Sequence, residues 1–266
     1  VNDTPIVRAT TDMRQFQIMG GSTVGQSVPV FEVSGRAVLS LAIAVRAGND
    51  SAMPDQPDPL VQITIRIPGP WETPKDLFDV LPEAFNLEGQ GNEIWLTGPD
   101  DLRAALQARP RDEQFFPLWL EGCNREPTQT EISGVKLYRH TVLLTMPGGS
   151  LQRAAQMLKA GAGILEAGGY GVFVDNSGIG HGASDWLDLT DDTGPDGGGP
   201  FWGFVNTFGD DDNLWTQGMH VLGFRDAQMP RTGDDKTNDF HIRNFLAYAY
   251  RSGATIKDGD DLDDIE

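Results

Sequence analysis

Residues 136–186 read KLYRHTVLLTMPGGSLQRAAQMLKAGAGILEAGGYGVFVDNSGIGHGASDW, and the fold class follows from how this stretch breaks up. From Leu137 to Thr145 it is rich in β-formers and partly alternating, which predicts a strand. Pro147-Gly148-Gly149-Ser150 stops that strand and supplies Ser150 as a helix N-cap. A helix over about 151–166 then places Leu151, Ala154, Ala155, Leu158, Ala162 and Leu165 on one apolar stripe. Gly168-Gly169 ends it as a C-cap pair. Tyr170 to Asp175 is short and nearly all apolar, as a strand buried on both faces would be. A polar loop carrying His181 follows. The unit is β-α-β.

Working outward from this unit, the chain alternates strand and helix signals. Gly35 to Arg46 and Leu60 to Ile67 read as consecutive paired strands, the second alternating through Ile63, Ile65 and Ile67. Asn49 to Asp58 is a loop. Thr73-Pro74 opens a helix whose core face is Leu77, Phe78, Leu81 and Phe85. Ile94-Trp95-Leu96 is a short strand and Asp100 to Ala108 a helix. Pro117 marks Phe115 to Leu120 as an edge strand or packing loop, and Arg125 to Ser133 reads as a linker. Beyond the central unit, Asp188 to Pro200 is a loop, and Trp202 to Phe208 favours helix over strand. Met219 to Phe224 reads as a strand, and Thr237 caps a helix through Tyr250. These signals predict an α+β fold, a mixed or antiparallel sheet with helices on one face, with two ferredoxin-like halves as a variant. The expected organisation is an irregular lead-in (1–30), an N-terminal half (31–124), a C-terminal half with the β-α-β unit (134–252) and an acidic tail (253–266).

Composition narrows the function classes. The net charge of −19 leaves no basic footprint, which argues against nucleic acid and against an anionic membrane surface. No run of about eighteen apolar residues is present to span a bilayer. A single cysteine, Cys123, forbids an internal disulfide and a multi-cysteine zinc site. A cytoplasmic location is the expectation, since no basic-apolar-small leader pattern is read. The acidity itself suits solubility, capture of a basic protein partner, or divalent cation binding.

Several residues could carry chemistry. His181, in Asp175-Asn176-Ser177-Gly178-Ile179-Gly180-His181-Gly182-Ala183-Ser184-Asp185, is a candidate general base or metal ligand oriented by Asp175 or Asp185. The competing reading is ordinary Asp-Asn-Ser-Gly turn chemistry. His220, with Arg225 and Asp226, could join His181 in a two-histidine, one-carboxylate metal site made of His181, His220 and Asp226. Arg225-Asp226 reads more simply as an ion pair. Met146 to Ser150 could hold an anion at a helix N-terminus, but it lacks the phosphate-loop lysine and reads better as a cap. The runs Asp210-Asp211-Asp212 and Asp258 to Asp264 lack calcium-loop spacing. Cys123 reads as a buried, inert thiol. No cofactor is called for.

The stretch Ile164 to Ser177, together with Met219-His220-Val221-Leu222-Gly223-Phe224-Arg225-Asp226, resembles uncharacterised bacterial proteins of the DUF4261-like kind. The likeness spans about Tyr138 to Tyr250. It implies a bacterial cytosolic α+β domain, similar to those among toxin-immunity and interaction modules, and it transfers no catalytic residue. Three functional expectations result. The first is an acidic module that binds a basic protein. The second is a metal-dependent hydrolase or other enzyme centred on His181 and His220. The third is a homo-oligomer subunit, with Trp71, Trp202 and Trp215 forming an exposed apolar patch.

Overall fold

A computed structural model of the protein describes residues 61–90, 93–193 and 198–231, with Asp234, Ile242 and three two-residue strands nearer the N-terminus. Those strands are β1 (Gln17–Ile18), β2 (Glu32–Val33) and β3 (Arg36–Ala37). There follow β4 (Gln62–Gly69), α1 (Pro74–Phe78), β5 (Asn86–Gln90), β6 (Glu93–Gly98), β7 (Leu102–Pro110), α2 (Phe115–Glu121) and α3 (Gln129–Leu137). The central stretch supplies β8 (His140–Pro147), α4 (Leu151–Glu166), β9 (Gly171–Val174), β10 (Ile179–Gly182) and α5 (Ala183–Asp191). The remainder is α6 (Gly199–Phe204), β11 (Asn206–Gly209), β12 (Asn213–Gln217), a 3-10 turn over Met219–Leu222, and β13 (Ala227–Pro230).

The chain divides into two compact units. The larger comprises Asn49–Asn206 with Thr216–Asp226, and its sheet has seven strands in the order β10-β9-β4-β8-β7-β6-β5, every neighbouring pair antiparallel. The fold is α+β. Strands from both sides of the expected linker enter this one sheet. β4 is an interior strand, and its alternation buries Ile63, Ile65 and Ile67 completely on one face, each worth about 2 kcal/mol of burial. Its described neighbours are β8 and β9.

Since β8 and β9 both run antiparallel to β4, they are parallel to each other, and α4 connects them across it. This is a split β-α-β arrangement. Ser150 caps α4 by accepting the Arg153 N–H at 3.3 Å, and Gly168 leaves it at φ +100°. α4 is buried on nearly all sides, from Ala154 and Met157 through Ala160 to Leu165, as a helix between sheet and further helices must be. Gly161 matters here: a Cβ would lie 2.5 Å from Trp186 Nε1, so the glycine admits the indole that joins α5 to α4. On the opposite face, identified by Phe173, α2 and α3 cover the β9 end through Phe115, Trp119, Val135 and Tyr138.

Several local expectations are corrected. The expected helix over 100–108 is instead a turn followed by strand from Leu102, because Leu102, Ala104 and Leu106 alternate into the core and the strand pairs with β6 on one side and, from Ala105, with β8 on the other. Asp100 and Asp101 turn the chain with φ +58° and +56°, a conformation aspartate tolerates. Residues 115–120 form α2, where Pro117 sits in the first turn and its missing N–H costs no hydrogen bond. Arg125 to Ser133 is not a linker: Thr128 and Glu131 form a capping box that starts α3. The following strand is consequently shifted to His140–Pro147. Met219 to Phe224 is not a strand but a 3-10 turn held between Gly218 (φ +116°) and Gly223 (φ +87°). Trp202 to Phe208 divides between α6 and β11, and α5 runs into the expected loop as far as Asp191. Phe78 is 50% exposed rather than core. The Gly35 to Arg46 strand is described only at Arg36–Ala37. The Asn49 to Asp58 loop, nearly all of the Thr237 to Tyr250 helix and the acidic tail lie outside the described residues.

The smaller unit comprises Val1–Gly48, Thr207–Trp215 and Ala227–Glu266. Its described strands form a sheet ordered β1-β13-β12-β11 and a separate antiparallel β2-β3 pair. Asp210 turns the β11–β12 hairpin by accepting the N–H groups of Asp212 (2.9 Å) and Asn213 (2.7 Å), which hold its carboxyl below the usual range.

Candidate functional site

His181 is in a strand, β10, paired in register with Val172 of β9, rather than in a loop. It is 3% exposed. Its Nδ1 lies 2.7 Å from Asp185 Oδ2, one helical turn on, and its Nε2 lies 3.1 Å from the Gly203 carbonyl. Both ring nitrogens therefore face acceptors inside the protein. Trp186 meets the ring edge-on at 5.3 Å. Arg125 donates to the other oxygen of Asp185 at 2.5 Å. Burial pushes the Asp185 carboxyl up, but the hydrogen bonds from His181 and Arg125 outweigh it and hold the group below its ordinary value. A histidine with both nitrogens engaged and no solvent face is a bracket between β10, α5 and α6. Neither nitrogen is turned toward a substrate or a metal.

His220 is built differently. It sits in the 3-10 turn with its side chain 41% exposed. Asp226 faces its Nδ1 at 3.5 Å, and that carboxylate is fixed by the Met219 N–H (3.0 Å) and the Thr216 hydroxyl (3.3 Å). The Asn176 amide is pinned by accepting from the Thr64 N–H and donating to the Gln62 carbonyl. Its remaining N–H lies 3.4 Å from His220 Nε2. Asn176 follows β9, so this cluster lies at the carboxyl end of one of the two parallel strands, where open α/β sheets carry their ligands. Arg225 is exposed beside it.

Asp175 belongs to neither cluster. It lies 2.7 Å from Arg66 Nε on β4, close in distance although neither atom has an aligned hydrogen bond. Burial raises its pKa, and Arg66 only partly offsets that. The six sequence candidates therefore fall into local groups: His181 with Asp185, His220 with Asp226 and the exposed Arg225, and Asp175 with Arg66. The proposed trio of His181, His220 and Asp226 shares no common partner. Among the described residues, no three histidine, cysteine or carboxylate side chains are placed to hold a metal ion.

Compared with family models, curated proteins and solved structures, the chain matches none. Function has to be read from the side chains themselves.

The remaining candidates are structural. Gly148 and Gly149 donate their N–H groups to the carbonyls of Val61 and Val221, so the turn before α4 has none of these amides left for an anion. The Cys123 thiol donates to the Trp119 carbonyl at 3.1 Å. Burial, reinforced by Asp185 and Glu131, pushes its pKa up to about 12. Trp71 is 4% exposed and donates to the Ala167 carbonyl, while Trp202 and Trp215 are half-buried, so the expected exposed tryptophan patch is not formed. Arg125 and Glu131, which organise the His181 region, were invisible in the sequence because both fell in the supposed linker. The Thr128-x-x-Glu131 spacing could have revealed the second.

Proposed function

We propose that this chain is an acidic protein-binding module, of the interaction or immunity type, that captures a basic protein partner in the bacterial cytoplasm. The observation that carries the reading is how the charged and reactive groups are spent. The buried His181 and Glu131 and the half-buried Asp185 and Cys123 are committed to internal hydrogen bonds. Among the described residues, exposed carboxylates such as Asp112, Glu113, Glu121, Glu126, Asp191 and Asp192 contribute to the net charge of −19. Such a surface accelerates encounter with a cation-rich partner and repels nucleic acid. No helix among the described residues is long and apolar enough to cross a membrane. Once a partner is isolated by pull-down at low salt, its association rate should fall at least tenfold between about 50 and 500 mM salt. A rate indifferent to salt would sink electrostatic capture.

A second reading has one observation in its favour: His220 is accessible and Asp226 faces its Nδ1, as a carboxylate that orients a general base does. Elemental analysis of the purified protein, with a melt before and after chelation, tests the metal-dependent form of that reading. Stoichiometric metal lost together with stability would favour it, and a metal-free protein with an unchanged melt would remove it.

A further inference from the structure

We infer that the basic partner docks on the outer side of α2 and the chain that follows it, an inference that rests on the binding reading above. α2 buries Phe115 and Trp119, one turn apart, with Phe116 packed partly against the same core, and its remaining four residues are exposed. Among the described residues, the large apolar side chains exposed by more than a third are Phe78, Val80, Leu118, Leu120 and Leu137. Three of the five belong to the α2–α3 pair. Leu118 and Leu120 lie on the two flanks of the buried stripe of α2, and each leaves more than a third of its surface to solvent.

Charge says what kind of surface would cover them. Glu121 and Glu126 follow directly and are exposed. Asp188 on α5 has a side chain 74% exposed. Arg125 is the cation within this group, and it already lies 2.5 Å from Asp185 and 3.8 Å from Asp188. Lys136 and Leu137 stand at the far end of α3, so the acidic rim is on the Glu121 side. An exposed helix with a leucine on each flank and carboxylates at its C-terminal end is complementary to apolar side chains interspersed with lysine or arginine, and not to an acidic or purely apolar surface.

The test uses the full chain and two synthetic peptides of equal positive charge, one alternating lysine pairs with leucine and the other polylysine. The lysine–leucine peptide should bind at least tenfold more tightly. The Leu118→Ser/Leu120→Ser double variant should abolish that preference with an unchanged melt. Glu121→Gln/Glu126→Gln/Asp188→Asn should slow association of both peptides. Backbone amide shifts of the unaltered protein provide a check independent of the variants, and peptide-induced changes should centre on 115–126. If the leucine variant keeps the preference, or the shifts map elsewhere, the site is wrong while acidic capture stands. If neither peptide binds the unaltered protein, the functional reading itself fails.

Discussion

Glu131 of α3 accepts both the backbone N–H and the hydroxyl of Ser184, each at 2.9 Å, across 53 residues of chain. Its second oxygen takes the N–H and hydroxyl of Thr128 at 2.7 and 2.8 Å. One carboxylate thus serves the first turns of two helices, α3 through its capping box and α5 through Ser184. α5 needs this help because its N-cap is Gly182, which has no side chain to accept. A Cβ at Gly182 would lie 2.7 Å from Glu131 Oε2, so the glycine makes room for the borrowed cap. Glu131→Ala should cost about 2–4 kcal/mol, since it orphans donors at two helix starts. Glu131→Gln should cost less. Urea denaturation at pH 7 measures both, and a loss for Glu131→Ala under about 0.5 kcal/mol would show that water replaces the carboxylate.

Three carboxyls give opposite pH signatures. Burial raises Glu131 and Asp185, but their hydrogen bonds outweigh it, so both titrate below their ordinary values. Their stabilisation is complete above the unfolded values of about 4 and is lost as pH falls through the lower folded values. Asp175 is raised by burial, so its contribution is complete below the unfolded value and is lost as pH rises through the folded one. Asp185→Asn should therefore destabilise more at pH 7 than at pH 3, and Asp175→Asn less at pH 7 than at pH 3. Melting temperatures of the two variants against the parent at both pH values decide it. Equal penalties at the two pH values would remove the linkage.

What could be read from sequence was local, and what could not was paid for by distant contacts. α4 was legible to the residue because Ser150 caps it, glycines close it and its apolar stripe is continuous. β7 was not, because Leu102 to Ala108 is rich in helix formers, and only pairing with β6 and β8 makes it extended. The 3-10 turn at Met219 is apolar like a strand, and the two positive-φ glycines that bound it carry the information instead. At the candidate site, His181 and Asp185 were legible as neighbours four residues apart. Their confinement was not, since it depends on Gly203 and Arg125 from elsewhere in the chain.

The two histidines should respond very differently to removal. His181→Ala deletes a ring that satisfies a carboxylate and a carbonyl and packs on Trp186, leaving the 12%-exposed Asp185 side chain with Arg125 alone. A cost of about 3 kcal/mol is expected. His220→Ala, half exposed and 3.5 Å from Asp226, should cost under about 1 kcal/mol. Equal losses in guanidinium melts would overturn the distinction between a bracket and an accessible group.

Gly180 should be intolerant of even a methyl group. Its N–H donates to the Gly122 carbonyl at 2.8 Å, a parallel bridge that ties β10 to the end of α2. A Cβ there would lie 2.4 Å from the Trp119 carbonyl oxygen and 2.9 Å from Cys123 Sγ. The first contact is backbone and cannot swing aside. Gly180→Ala should cost about 1–3 kcal/mol, and Gly89→Ala, with nothing within 4 Å, serves as the control that should leave the melt nearly unchanged.

The same crowding protects the thiol. Cys123 is half-buried, donates to the Trp119 carbonyl and faces the negative charges of Asp185 and Glu131, which together with burial push its pKa to about 12. Only the thiolate is nucleophilic, so at pH 8 the folded protein should react with iodoacetamide at least a hundredfold more slowly than the chain in urea, where a free thiol titrates near about 8.5. Raising the pH to 10 should speed the folded protein in proportion to thiolate as long as it remains folded. Asp185→Asn removes one of the two opposing charges and should accelerate alkylation. If the folded protein reacts as fast as the unfolded one at pH 8, Cys123 is an activated thiol, and the view that the reactive groups of this region are spent on structure would have to be given up.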